Sequence, residues 1–119
     1  MKIAIPHWQG RISPVFDVAS RLLVIAPDGR QDVAIDGGGL HARVGQLVEL
    51  RVELLICSAI SGALEMAIEG AGIRVMAGIC GPVDEVADAF MRRGRLDHTF
   101  SMPGCKRRRR RRGRHGSWR

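Results

Sequence analysis

The chain has 119 residues, 45% of them hydrophobic, enough for one compact core and too few for two ordinary domains. Its longest apolar runs, such as Leu22 to Ala26 and Leu54 to Cys57, fall far short of the roughly 18 to 20 residues of a membrane-spanning helix. The net charge of +7 is unevenly spread: Lys106, Arg107 to Arg112, Arg114 and Arg119 supply nine of the 19 basic residues, leaving ten against 12 acidic ones before them. The high charge therefore belongs to the end of the sequence, and the part expected to fold is mildly acidic.

The opening Met1-Lys2-Ile3-Ala4-Ile5-Pro6 passes directly into a strand pattern, without the apolar segment and cleavage site of a secretory signal. The three cysteines, Cys57, Cys80 and Cys105, are odd in number and widely spaced, which suits thiols in a reducing compartment better than a disulfide framework. The expected location is the cytoplasm.

Residues 2 to 6 read as a first strand and 7 to 19 as a loop. A second strand fits Arg21 to Ala26, Pro27-Asp28-Gly29 is a turn signal, and Gln31 to Ile35 should return antiparallel with one wet face. After the run Gly37 to Gly39 the period changes, with Leu40, Val44, Leu47 and Val48 on one helical face. Residues 52 to 57 read as a buried strand, followed by a helix carrying Leu64, Ala67 and Ala71. Ile73 to Ala77 make a last strand, and Gly81-Pro82 opens a third helix with Val83, Val86, Ala87 and Phe90 on its apolar side. Three antiparallel strands followed by two βα units predict an α/β fold: a five-stranded mixed sheet, its first strand central beside the fourth, with helices on its faces. The domain is expected over residues 1 to 104, and residues 105 to 119 as a disordered arginine-rich tail with too little apolar surface to fold.

If the first, fourth and fifth strands run parallel, their carboxyl ends share the edge where open α/β sheets bind ligands. His7, Cys57 and Cys80 follow those ends, and imidazole and thiolate are ligands that iron and iron–sulfur clusters favour. The bland reading, which residue type favours, makes Cys57 a small buried hydrophobe and His7 a solvated loop residue. Cys80 stands in a Gly-flanked loop before a helix, where the helix dipole favours negative charge. Arg11, and the helix starts after Ser61-Gly62 and Gly81-Pro82, also suit an anion, although Ser61 could be simply an N-cap and His41 an exposed residue. Asp17 is placed to brace the first loop by hydrogen bonds. There is no GxGxxG, P-loop, HExxH, CxxC pair or GxSxG, and a lone Asp is not an acid/base pair; the expectation is a protein that is not an enzyme.

Ile3-Ala4-Ile5-Pro6 with Gly10-Arg11-Ile12-Ser13-Pro14-Val15-Phe16-Asp17, Leu55 to Gly62, Gly72 to Val75, Cys80 to Val86 and Met102-Pro103-Gly104-Cys105 resemble the dinitrogenase iron-molybdenum cofactor-binding family, and the likeness covers about residues 1 to 105. It implies a ribonuclease H-like α/β/α architecture and a carrier or sensor of iron-molybdenum cofactor or a related iron–sulfur cluster, exchanged with a donor or acceptor protein. With the sheet-edge reading it gives Arg11, Ser13, Ser61, Gly62 and Gly81 as candidate cofactor-binding residues and Cys80, Cys57, Cys105 and His7 as candidate metal ligands. The chain departs from many members after Ile35, where it lacks a His-rich stretch. The alternative is a nucleic-acid or acidic-partner binding protein acting through Lys106 to Arg119, where arginines could neutralise phosphates and Trp118 could stack on a base. Either reading allows a monomer or a homodimer paired through the edge strand at Gln31 to Ile35.

Overall fold

The structure is a computed structural model that describes residues 1–35 and 39–93. Its organising element is β1 (Ile3–Trp8), whose first four residues are all buried. Such a run suits a strand covered on both faces, and the sheet is built outward from it. On one side β1 pairs antiparallel with β3 (Arg21–Ala26), which pairs antiparallel with β4 (Gly29–Ala34). On the other it pairs parallel with β5 (Leu54–Ile56), which pairs parallel with β6 (Arg74–Met76). The order is β4-β3-β1-β5-β6, with β1 central as expected.

The sheet has six strands where the sequence predicts five. The additional strand is β2 (Arg11–Ile12), which folds back antiparallel on the end of β1, pairing His7 with Ile12 and Trp8 with Arg11. Gln9 and Gly10, the two connecting residues, have φ of 52° and 81°. Positive φ at both central positions is the signature of the type I′ turn, whose twist matches that of the strands. Gln9 accepts this conformation without the usual Asn side chain, so the sequence signal for the hairpin is weak. At the other edge β4 begins at Gly29, two residues earlier than predicted, because Pro27-Asp28 alone make the turn.

Strand alternation divides the core. Ala4, Leu22, Val24, Leu55 and Val75 point to one side, where they pack with Leu47 of α1 (Leu40–Glu49) and with Leu64 and Ile68 of α2 (Gly62–Gly70). Ile3, Ile5, Ile25, Leu54 and Ile56 point to the other, against Val83, Val86, Ala87 and Phe90 of α3 (Val83–Arg93). Each large side chain so buried contributes about 1.5–3 kcal/mol. The apolar positions expected for α3 are all buried. In α1, Val48 is half exposed while Arg43 is buried, so the buried stripe is turned toward Arg43. In α2 the inward residues are Leu64 and Ile68, and Ala71 is exposed beyond the helix end.

Two glycines test this backbone in opposite directions. At Gly10 an added Cβ would meet nothing, but φ is +81°; at Gly45, inside α1, there is neither a neighbour in reach nor a positive φ. Gly10→Ala is expected to destabilise the protein by about 1–2 kcal/mol, and Gly45→Ala to stabilise it by up to about 1 kcal/mol. Urea unfolding of the two variants beside the wild type measures both.

Candidate functional site

The carboxyl ends of β1, β5 and β6 lie on one edge of the sheet, and the segments that follow them are joined by backbone hydrogen bonds. Ser13 N donates to Pro6 O at 3.0 Å, Phe16 N to Ala59 O at 2.9 Å and Ala59 N to Pro14 O at 3.0 Å. Ile12 N donates to Gly81 O at 3.0 Å and Val83 N to Gly10 O at 2.9 Å, with Arg11 bridged to Pro82. The first loop is thereby fastened to both βα loops and contains, besides β2, a 3-10 turn at Phe16–Val18. Buried backbone groups require partners, and these pairs supply them.

Two side chains complete the fastening. Asp17 accepts the Ser61 backbone N–H at 2.9 Å and the Ser61 hydroxyl at 2.6 Å, while Ser61 Oγ accepts Leu64 N–H at 3.3 Å as the N-cap of α2. The bracing role expected of Asp17 is thus seen. Its partial burial opposes ionisation, but the hydrogen bonds from Ser61, one from its own backbone and the nearby Arg43 charge outweigh that and hold its carboxyl below the ordinary value. Arg43 was not singled out by sequence. Its Nη1 donates to Ala19 O at 2.8 Å and its guanidinium lies 5.7 Å from the Phe16 ring centroid, a cation–π distance. The available signal was its i+3 spacing from Leu40 on the buried stripe.

The candidate residues do not converge equally. Cys57 is fully buried among Ala4, Leu55 and Leu64, and burial, with smaller effects of Glu65 and Asp17, pushes its thiol far up. It is a core residue, since the alternation that buries Leu55 carries it to the same face. His7 Nε2 is 2.9 Å from Asp32 Oδ1, and Arg21 Nε donates to the same carboxylate at 3.1 Å. Arg21, followed by His7, holds the Asp32 carboxyl below its ordinary value, and one His7 ring nitrogen is thereby engaged across the sheet. Ser61 and Gly62 do stand at a helix N-terminus, but the anion received there is Asp17. Cys80 is half-buried in the loop whose Gly81 carbonyl receives Ile12 N–H, and Arg11 is exposed in β2, bridged to Pro82 of the same loop. Among the described residues no three His, Cys, Asp or Glu side chains form a group that could hold a metal ion. Cys105, the arginine-rich segment and the tail boundary lie outside the described residues. No helix among the described residues is long and apolar enough to cross a membrane.

Ser13 was a candidate through its motif alone, and its surroundings are unexpected. It is 3% exposed, and its Oγ has no hydrogen-bond partner among the described residues. An unmade hydrogen bond at a buried hydroxyl costs about 1–3 kcal/mol. Ser13 also lines an open cavity of about 250 Å³ with Trp8, Pro14, Val15, Val18, Ala19 and Ser20. No periodicity or motif in the sequence marks this cavity.

Solved structures share the fold. A protein solved as PH0822 superposes with a TM-score of 0.74 over 82% of this chain and 93% of its own, at 17% identity. A protein from Methanocaldococcus jannaschii, provisionally named a dinitrogenase, gives a TM-score of 0.60 at 21% identity, covering 77% of this chain and 88% of that one. A Thermotoga protein, provisionally named a NifB protein and assigned to the DUF35 family, gives 0.62 at 25% identity over the same shares. No family model and no curated protein matches the chain. The names of two of these neighbours agree with the resemblance seen in the sequence.

The Asp17–Ser61 pair makes a testable contribution. A carboxyl held below its unfolded value near 4 gives stability that is present above that pH and is lost as pH falls through the folded value. Ser61→Ala, which removes the cap and one of these bonds, is expected to cost about 1–2 kcal/mol at neutral pH. The difference between wild type and Asp17→Asn should shrink as pH is lowered from about 5 to 3. Denaturant titrations across that range measure both effects.

Proposed function

We propose that the protein carries an anionic iron–sulfur type metallocluster, iron-molybdenum cofactor or a relative, as non-catalytic cargo on the carboxyl edge of its sheet. The single observation that carries this reading is the placement of Cys80: a half-buried thiol on that edge, in a loop hydrogen-bonded to the strand of the exposed Arg11. Thiolates ligate such clusters, and an arginine on the strand paired with that loop would offer positive charge and N–H donors to an anionic cluster. The residues fit an open attachment point, with one protein thiol and a cation, better than a closed cage. Cys57 is no ligand on this reading.

The similarity in fold to structures named after dinitrogenase and NifB supports the reading, as does the sequence resemblance. The strand order, in which β3 alone runs against the other four strands of the main path, supports assigning the ribonuclease H-like motif. The proposed partners are a protein that donates the cluster and one that accepts it, in a reducing cytoplasm where the thiol stays free.

The test is anaerobic reconstitution of the full chain with iron and sulfide, or with isolated iron-molybdenum cofactor, followed by metal analysis and absorption spectroscopy. Wild type should bind cluster, Cys80→Ser should lose at least about nine-tenths of it, Arg11→Ala should weaken retention at raised salt, and Cys57→Ala should retain it. Absence of cluster on the wild type, or full retention by Cys80→Ser, overturns the proposal.

A further inference from the structure

β4 is the outer strand of the sheet, and among the described residues it pairs with β3 alone. Ile35 N donates to Ser20 O at 2.8 Å, one step past the Arg21–Ala34 pair, and hydrogen-bonded and non-hydrogen-bonded pairs alternate along an antiparallel ladder. Gly29, Gln31 and Val33 therefore bond to β3, while the backbone N–H and C=O groups of Arg30, Asp32 and Ala34 point away from it. The Ala34 carbonyl accepts from Gln46 Nε2 of α1 at 2.7 Å, which agrees with that direction and closes one end of the edge. The backbone groups of Arg30 and Asp32 face outward as a template for another strand. Strand alternation puts their side chains on one face, where Arg30 pairs with Asp88 of α3 and Asp32 with Arg21, and they remain 40% and 52% exposed.

We propose that β4 binds β4 of a second copy of the chain, antiparallel about a two-fold axis at Gln31, so that the two sheets become one. A two-fold contact is self-complementary, and outward-facing residues must stand opposite outward-facing residues. Centring the axis on Arg30 sets Arg30 against itself. Centring it on Asp32 sets Asp32 against itself and calls on the Ala34 carbonyl that Gln46 already holds. Like charges directly opposite are unfavourable and unlike charges favourable. Centring on Gln31 places Arg30 opposite Asp32 of the second copy, and Asp32 opposite Arg30 of the second copy. Each of these pairs exchanges both of its backbone hydrogen bonds. Their side chains join a row of alternating charge: Asp88 and Arg30 of one copy, then Asp32 and Arg21 of the second copy. Cys80 follows β6, at the far end of the strand order from β4, so the contact is separate from the proposed cluster site.

Sedimentation equilibrium of the full chain at ~0.15 M salt should show a monomer–dimer equilibrium in the micromolar range, as befits a small contact. Arg30→Glu and Asp32→Arg each oppose like charges across the axis and should weaken self-association at least tenfold. An equimolar mixture of these two variants should form a heterodimer at least as tight as the wild-type dimer, because the introduced carboxylate then faces the introduced guanidinium. That rescue also shows that both variants fold. Gln31→Cys, in a chain carrying Cys80→Ser and Cys105→Ser, should cross-link into a dimer on mild oxidation, since position 31 meets itself at a Cα separation of about 4.5 Å, within disulfide reach. Val33→Cys in the same background should not cross-link. A wild type that stays monomeric to millimolar concentration, single variants that associate as well as wild type, a mixture that does not associate, or cross-linking through Val33→Cys in place of Gln31→Cys overturns the proposal.

Discussion

The pairing of the first loop with the two βα loops is the constraint on which the carboxyl edge of the sheet depends. In an open α/β sheet the loops beyond the carboxyl ends are ordinarily separate, and each finds its own conformation at the surface. Here residues 10 to 16 exchange backbone hydrogen bonds with residues 59 and 81 to 83, so the three segments form one layer. Arg43 ties that layer to α1 through Ala19 O, and Asp17 ties it to α2 through Ser61. The backbone positions from which Cys80 and Arg11 project are therefore set by a network spanning the sheet.

The same network decides the electrostatics of the edge. A helix N-terminus attracts anions because its first N–H groups lack partners, yet at α2 the protein supplies its own anion. The Asp17 carboxylate takes Ser61 N–H, and the Ser61 hydroxyl takes Leu64 N–H. Little attraction remains there for an external ligand. His7 is similarly engaged by Asp32, which Arg21 shares. What remains available to an anion is the exposed Arg11 and the loop of Cys80, which is why the proposed site is narrower than the edge as a whole.

The sequence made the main sheet legible because its periods are clean: the βα repeats from Leu40 to Phe90, and the alternation of Val33 and Ile35 with polar neighbours in the strand after the Pro27-Asp28 turn. The β1–β2 hairpin was not legible, since Gln9 at positive φ lacks the Asn-Gly or Asp-Gly signature that marks such turns. Arg43 was hidden for a related reason. Charge suggests exposure, and only the tertiary contacts with Phe16 and Ala19 reveal that a guanidinium can be buried on a helix's apolar stripe. Of the candidate site, the bracing by Asp17 and the alternative reading of Cys57 as core could be read from residue type and strand alternation. The Ser13 cavity could not, because it depends on how the loop closes over β1.

An open attachment point and a closed cage serve different purposes. Where several thiolates surround a metal, affinity is high and the site becomes part of folding; release then requires disrupting the fold. The described residues of this chain fold around two apolar cores, and among them no three His, Cys, Asp or Glu side chains form such a cage. One thiol and one arginine at a preorganised edge would leave most of a cluster's surface facing outward, open to the ligands of an accepting protein. Thiol exchange at a single sulfur could then pass the cargo on while the sheet, its loops and their hydrogen bonds stay in place.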